Sequence, residues 1–511
     1  MLARVWSALL VGIQAVQVGV EVDVSGGLPG IAVVGLPDAA IQESKERVKA
    51  ALKNSGFAFP MRRVVINLTP ADLRKEGPCF DLPISVGILA ASEQADPRLL
   101  EQYLFLGEVS LDGSLRPVTG VLPVAAAAQR LGFKGLVVPL DNVAEAAIVQ
   151  GLRVYGLRSL AEVSEFLSAP EHFTPHQLSA KHPDPAAAPY APDLKDVKGQ
   201  QHARRALEIA AAGGHNLIFV GPPGSGKTLL SQRLPSILPP LSLDEALSVT
   251  QIYSVAGLLR DRGSLVNERP FRSPHHSASG AALVGGGSFP RPGEISLAHN
   301  GVLFLDELTE FKRDVLEFLR QPLEEGQVTI SRARQSVVFP AQFTLVASTN
   351  PCQCGYYSDP IQSCTCTARQ REQYWARLSG PLMDRIDLQV QVSRLKPEEI
   401  TSQCEGEPSQ SVRVRVQQAR DRQQTRFEVE PGLRCNSQMQ TRHLRQFCTI
   451  DDTSRTLLEA AIRRLGLSAR ATDRVLKVSR TIADLAGDEI LKAHHLAEAI
   501  QYRTLDRAVS S

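Results

Sequence analysis

Eight consecutive residues constrain this chain more tightly than any other stretch. Positions 221–228 read Gly221-Pro222-Pro223-Gly224-Ser225-Gly226-Lys227-Thr228, after the apolar run Leu217-Ile218-Phe219-Val220 and before Leu229-Leu230-Ser231. The run predicts a buried strand, and the residues from Leu229 onward predict the first turn of a helix. Glycines let backbone N–H groups curl around phosphate oxygens, and a helix N-terminus adds positive potential there. Lys227 then reaches the β- and γ-phosphates, and Thr228 ligates Mg²⁺ through its hydroxyl. A strand–loop–helix of this kind belongs to an α/β sheet and binds a nucleoside triphosphate, so residues 221–229 are assigned to ATP.

Length and composition set the frame around that loop. The 511 residues leave room for two or three domains, and 43% hydrophobic with 22% charged content is ordinary for a globular chain. A net charge of +2 carries no bulk bias, so a nucleic-acid surface must come from local clustering. No run of about 18 apolar residues occurs, which excludes a membrane-spanning helix. The opening residues 1–12 superficially resemble a secretion signal. They lack a clear charged n-region and run into Val18-Gly-Val-Glu-Val-Asp-Val24, the alternation of a strand, so the chain is read as cytoplasmic. Four of the eight cysteines cluster, which favours a metal site over a disulfide framework.

Along the chain, Pro-, Ala- and His-rich residues without periodicity predict a linker over 169–194. The 168 residues before it alternate Val-rich strands (16–24, 31–34, 63–68, 104–109, 135–138) with helical patterns (38–55, 81–95, 119–132, 141–150), which is a mixed α/β domain. An α/β sheet built on the phosphate loop is expected over 195–394. Residues 395–511 show almost no strand signal. Leu457, Leu458, Ala461, Ile462 and Leu465, then Val475, Val478, Ile482 and Leu485, recur at helical spacing and predict a helical bundle.

Two further strands carry catalytic groups. Val302-Leu303-Phe304-Leu305 ends in Asp306-Glu307, where Asp306 holds Mg²⁺ and Glu307 orients and deprotonates the attacking water. Phe343–Ser348 ends in Thr349-Asn350, and Asn350 is placed to hold that water near the γ-phosphate. In this order the motifs resemble the AAA+ ATPases, in the branch of magnesium-chelatase ATPase subunits and minichromosome-maintenance helicases. The resemblance covers 195–511 and implies two more roles. Gly380-Pro-Leu-Met-Asp-Arg-Ile-Asp387 resembles the arginine-finger box, making Arg385 the group that reaches a neighbouring subunit's ATP. Leu467-Ser-Ala-Arg-Ala471 resembles the sensor-2 helix of the lid, making Arg470 a γ-phosphate contact. Arginine neutralises phosphoryl charge with fixed geometry, and a finger acting between subunits implies a closed ring, usually a hexamer.

Three insertions point towards a substrate. Residues 328–339 predict a hairpin around Arg332-Ala333-Arg334-Gln335, and in the resembled branch this hairpin enters the ring channel. Arg332 and Arg334 suit a phosphate backbone, while an exposed edge kept soluble by charge is the plainer reading. Residues 271–287, with His275-His276 and Gly285-Gly286-Gly287, are small and polar, as a moving loop that touches DNA would be. Cys352-x-Cys354 and Cys364-x-Cys366 close the ends of a short insertion (352–366) and can supply four thiolates to a structural Zn²⁺, with reduced free thiols as the alternative. Tyr356 and Tyr357 in that loop either stack bases or pack on it. Arg413, Arg415, Arg420, Arg422 and Arg426, then Arg463, Arg464, Arg470, Arg474 and Arg480, form basic helical stretches that read as a solvated face or as a phosphate track.

In the first domain, Glu76-Gly-Pro-Cys-Phe-Asp-Leu82 and Gly107–Val121 resemble the proteolytic domain of Lon proteases. Cys79 stands at the serine position and Leu122 at the lysine position, so a nucleophile would lack its base and the domain is expected to be a protease fold without protease chemistry. A degenerate Lon-like domain, a chelatase-type AAA+ module with a helical lid, and a Cys₄ insertion together resemble the ComM (YifB) family over nearly the whole chain. That resemblance implies a cytoplasmic homo-hexamer using ATP, Mg²⁺ and structural Zn²⁺ to drive branch migration on DNA during recombination, including natural transformation, with recombination proteins as further partners. A chelatase-like metal-insertion or protein-remodelling motor is the alternative.

Overall fold

The computed structural model describes residues 1–176, 192–259, 264–287, 290–332, 335–357, 359–401, 406–430 and 432–503. Among them, two compact units emerge: Met1–Asp184 with Ala246–Val266, and Pro185–Glu245 with Asn267–Ser511. No helix among the described residues is long and apolar enough to cross a membrane.

The first unit is built on a seven-stranded mixed sheet whose spatial order is 30–34, 63–69, 14–25, 2–11, 103–105, 135–139, 153–157. Leu2–Val11 pairs antiparallel with Gln14–Ser25 from Leu2↔Asp23 to Val11↔Gln14, and its Trp6 sits beside Leu104 in a parallel pair. The opening residues are therefore an interior strand of the sheet. The expected strand at 104–109 ends at Phe105, because Gly107 turns to donate to the Cys79 carbonyl and to accept from Leu82 N, and Glu108–Val109 joins a separate pair with Leu115–Arg116. Arg153–Leu157 and the helix Leu160–Ser168 were not anticipated. Both are short, and Ser159 alone marks the helix start by accepting from Glu162 N. The helix Asp81–Ala91 is buried at every position. It brings Asp81 inside, where Arg47 (2.9 Å) and Ser44 satisfy the carboxylate.

Residues 246–266 lie inside the expected 195–394 stretch, yet their contacts belong to the first unit. The helix Leu243–Ala256 presents Ser254, whose carbonyl accepts from Gly120 N and whose hydroxyl donates to Glu145 Oε1 at 2.5 Å. Of the expected linker, Pro170–His172 forms a short 3₁₀ turn and Phe173 packs edge-on against Phe166; residues 177–191 lie outside the described residues.

The second unit carries a five-stranded, wholly parallel sheet in the order 271–272, 302–305, 344–349, 217–220, 388–391. Numbered along the chain this is 2-3-4-1-5. The strand that feeds the phosphate loop thus lies between the fourth and fifth strands, where ligands bind beyond the carboxyl ends. A separate antiparallel hairpin, Gln327–Arg332 with Gln335–Pro340, precedes the fourth strand. The lid consists of the helices Ser409–Arg426, Thr441–Phe447, Asp452–Leu465, Ala469–Ala486 and Ala493–Gln501. Leu458, Ala461, Val475, Val478 and Ile482 share one core with Leu217, Phe219 and Phe304, so lid and sheet bury a single apolar interior.

Candidate functional site

Leu217–Val220 is buried at all four positions, and the chain leaves it into a loop that needs two left-handed glycines, Gly224 (φ 75°) and Gly226 (φ 88°). Gly226 is the residue before the helix Lys227–Ile237, so the loop's N–H groups and the helix terminus face the same space. Pro222 is buried and Pro223 exposed; Leu229, expected at the nucleotide, is 38% exposed on the first turn. Ser225 Oγ is buried with no hydrogen-bond partner, a donor suited to a phosphate oxygen.

Lys227 Nζ donates to the carbonyls of Gly221 (2.7 Å) and Pro222 (2.9 Å) and to Asn350 Oδ1 (3.3 Å). Burial pulls its ammonium below the ordinary lysine value, against the opposing pull of Asp306 and Glu307. Thr228 Oγ1 donates to Asp306 Oδ2 at 2.9 Å, so the two expected Mg²⁺ ligands meet directly. Asp306 Oδ1 accepts from Glu307 N (3.0 Å) and from the Ser348 hydroxyl. Glu307 adopts φ 52°, a strained turn two residues after the strand end at Leu305. Residues from the first, third and fourth strands of the sheet thus converge on one point, as an ATP–Mg²⁺ site requires.

Several participants had no local sequence signal. Ser348 is one. Asn216 is another: its amide donates to the Arg385 carbonyl (2.9 Å) and its oxygen accepts from Leu345 N (2.9 Å), fastening the 380–387 segment to the fourth strand. His276, expected to touch DNA, has its Nδ1 3.4 Å from Glu307 Oε2, with the His275 ring 4.1 Å away. The loop around these histidines is more structured than its composition predicts. It includes the short helix Gly280–Val284 and a bidentate Arg272–Glu294 pair at 2.6 and 2.7 Å.

Arg385 is almost buried, held by Glu324 and by the Pro381 carbonyl. It lines a cleft of about 1020 Å³ within the second unit together with Arg474, which pairs with the buried Asp387. Burial alone would raise the Asp387 carboxyl, but Arg474 and His215 outweigh it and hold the group well below the usual carboxylate range. Arg470 is exposed on the first turn of its helix, and no hydrogen bond or ion pair of the described residues joins it to the phosphate loop. The hairpin bears Arg332 next to its tip; Arg334 lies outside the described residues and the Arg332 side chain is not described.

The basic helix 409–426 resolves into structural pairing. Arg413 donates to Ser236 O, Arg415 pairs with Glu208 and Glu407, Arg420 donates to Ala211 O, Arg422 to Asp484 O, and Arg426 pairs with Asp484. A continuous phosphate track on that helix is therefore not formed. Arg480 is also internal, whereas Arg463 and Arg464 are exposed.

Cys352, Cys354, Cys364 and Cys366 converge, with all four Sγ atoms within 4.8 Å of one another. Their separations of 3.3 Å (352–354), 3.7 Å (352–364) and 3.6 Å (354–364) lie near the roughly 3.8 Å edge of a tetrahedron with Zn–S bonds of about 2.3 Å. Cys354 N and Cys366 N both point at sulfur (3.4 Å), as backbone donors do around thiolates. The donor set fits a closed four-thiolate Zn²⁺ site with no position left for catalysis. Tyr357 packs under the Arg371 guanidinium at 4.5 Å, covering the loop.

The sheet order, the phosphate loop and the Thr228–Asp306–Asn350 arrangement define a AAA+ ATPase of the magnesium-chelatase class. Comparison with known families agrees. Residues 193–400 match the family described as magnesium chelatase, subunit ChlI, residues 406–503 its C-terminal part, and residues 20–142 the family described as subunit ChlI of Mg-chelatase. Over 513 residues the chain is 45% identical to competence protein ComM of Haemophilus influenzae, covering 99% of this chain and 98% of that protein. It is 44% identical over 510 residues to YifB of Salmonella typhimurium, with the same coverage. A shorter likeness, 30% over 123 residues (24% of this chain, 21% of that protein), links it to Lon protease 2 of Bacillus subtilis. The chain belongs to the ComM/YifB family of magnesium-chelatase-like AAA+ ATPases.

Proposed function

We propose that this chain is one subunit of a hexameric, ATP-driven DNA motor that moves branch points in recombination intermediates, including those formed when incoming DNA is integrated. The observation that carries the reading is the joined Thr228–Asp306 and Lys227–Asn350 site in a chain alike end to end to a competence protein. Lys227 and the 221–226 amides bind the phosphates, and Thr228 and Asp306 would hold Mg²⁺, which would supply charge neutralisation to them. Glu307 takes the proton of the attacking water, and Asn350 orients that water. Arg385 and Arg470 act across subunit boundaries or from the lid, with Arg385 first leaving Glu324. Hydrolysis moves the 327–340 hairpin and the 272–287 loop along DNA. Zn²⁺ at Cys352, Cys354, Cys364 and Cys366 is structural.

The Lon-like part works without peptide hydrolysis. Burial, the largest cause, and then Asp81 push the half-buried Cys79 thiol up to about 12, which disfavours the thiolate a nucleophile needs, and the Leu122 side chain at the lysine position is wholly buried. The test is a mobile four-way DNA junction incubated with the protein, ATP and Mg²⁺. Resolution into duplexes by the intact protein and not by Lys227→Ala establishes the motor. Robust ATPase activity and ring formation without resolution overturns it in favour of a metal-insertion or protein-remodelling machine.

A further inference from the structure

The cysteine loop is not a remote appendage of the ATPase fold. Gly355, between Cys354 and Tyr356, has φ 87° and lies so close to the phosphate loop that an added Cβ would sit 2.8 Å from Pro223 Cδ and 2.9 Å from Pro223 Cγ, with Asn350 Cγ at 4.0 Å. Only glycine satisfies both the left-handed backbone and this approach. The loop's N-terminal end is also tethered to the site covalently. Asn350, whose Oδ1 receives the Lys227 ammonium at 3.3 Å, is followed by Pro351 and then by the fully buried Cys352. Pro351 O accepts from Trp375 Nε1 (3.1 Å), and Cys366 O accepts from Arg371 Nη1 (2.9 Å). Both donors lie on the helix Ala368–Trp375, which a Thr367–Gln370 capping box starts immediately after the last cysteine. The cysteine cluster, the water-orienting residue and the phosphate loop therefore form one packed block.

We propose that the four-cysteine knot is a positioning element of the ATP site, so that Zn²⁺ binding by the cysteines and nucleotide binding by residues 221–228 strengthen each other. The inference rests on the zinc reading above. The cation orders the 352–366 loop. That order holds Gly355 against Pro223 and Asn350 against Lys227 in the arrangement that receives phosphate. Without the cation the thiols repack, and the loop that must meet the γ-phosphate loses its support on that side. Linkage makes the effect reciprocal: whatever factor zinc adds to nucleotide affinity, nucleotide adds to zinc affinity.

The full-length protein is purified without chelator, its zinc is counted by elemental analysis, and two quantities are measured. One is the Kd of a fluorescent ATP analogue with Mg²⁺ before and after zinc is stripped. The other is the rate of zinc loss to a colorimetric chelator with and without a non-hydrolysable ATP analogue. The expected coupling is about tenfold in nucleotide Kd, with an equal factor in apparent zinc affinity. Gly355→Ala is expected to keep one zinc per chain, which reports an intact knot, while weakening nucleotide binding by a similar factor. In Pro223→Ala, stripping zinc is expected to change nucleotide affinity by a smaller factor than in the parent, because one of the two shared contacts is gone. A protein with no bound zinc overturns the zinc reading itself. A protein with one zinc per chain whose nucleotide Kd is unchanged on stripping, and whose zinc loss ignores nucleotide, keeps that reading and overturns the coupling.

Discussion

Glu324 and Arg385 form an ion pair within a single chain, and Glu324 lies at the end of a short helix that turns through Gly326 (φ 66°) directly into the 327–340 hairpin. The proposed finger arginine is thus fastened to the base of the element proposed to touch DNA. Glu324→Gln removes the charge and keeps the size. If the pair restrains Arg385, ATP hydrolysis by the assembled ring rises, by roughly twofold to fivefold given the modest strength of a partly exposed pair. Phosphate-release assays with and without DNA check this; an unchanged rate in both shows that the pair does not restrain Arg385.

At the nucleotide, the Thr228–Asp306 contact predicts a clean division of labour. Glu307→Gln is expected to retain ATP binding but to lower hydrolysis about 10²–10³-fold, since it removes the proposed acceptor of the water's proton. Asp306→Asn is expected to weaken both, because the proposed Mg²⁺ ligand and the acceptor for Thr228 change together. Equilibrium nucleotide binding beside single-turnover hydrolysis separates the two.

Asp484 sits fully buried in the lid, accepting from Asn436 Nδ2 (2.8 Å), Arg426 Nη1 (2.9 Å) and Arg480 Nε (3.1 Å). Asp484→Ala leaves two guanidinium groups without their counter-charge and is expected to cost about 3–5 kcal/mol in urea unfolding. The exposed Arg463→Ala should change stability by less than about 0.5 kcal/mol.

His299, just before the strand that bears Asp306, accepts from Gln342 N at 3.0 Å, and burial, with Arg434 adding to it, pushes its pKa down to about 4. The imidazole stays neutral in the fold while the unfolded chain protonates near pH 6.5. Stability contributed by neutral His299 is present above that value and is lost progressively as pH falls towards 4, by roughly 2 kcal/mol between pH 7 and 5. His299→Gln should flatten that part of the Tm-versus-pH curve relative to the parent.

Much of the site was legible because its motifs are contiguous: 217–228, 302–307 and 344–350 each carry a strand and its functional tip in one short run. The lid helices were equally legible from their spacing. The arginines of 409–426 were not. Local composition reports their charge, but Glu208 and Asp484 approach them from distant parts of the chain, and only Glu407 is a neighbour in sequence. The approach of His276 to Glu307 was not legible either, because nothing in its neighbourhood announces a partner thirty-one positions away.

The linear order of residues determined that this chain makes a phosphate loop, two acidic groups after a strand, a polar residue at the tip of another strand and a four-cysteine cluster, because each is a local pattern whose chemistry follows from residue type and spacing. The tertiary structure decided which of these touch. Parallel pairing in the order 2-3-4-1-5 carries Asp306 to Thr228 and Asn350 to Lys227, and close packing sets Gly355 on Pro223 and Glu324 on Arg385. Such contacts join residues separated by tens to hundreds of positions, and their energy exists only once the sheet has brought the two ends together.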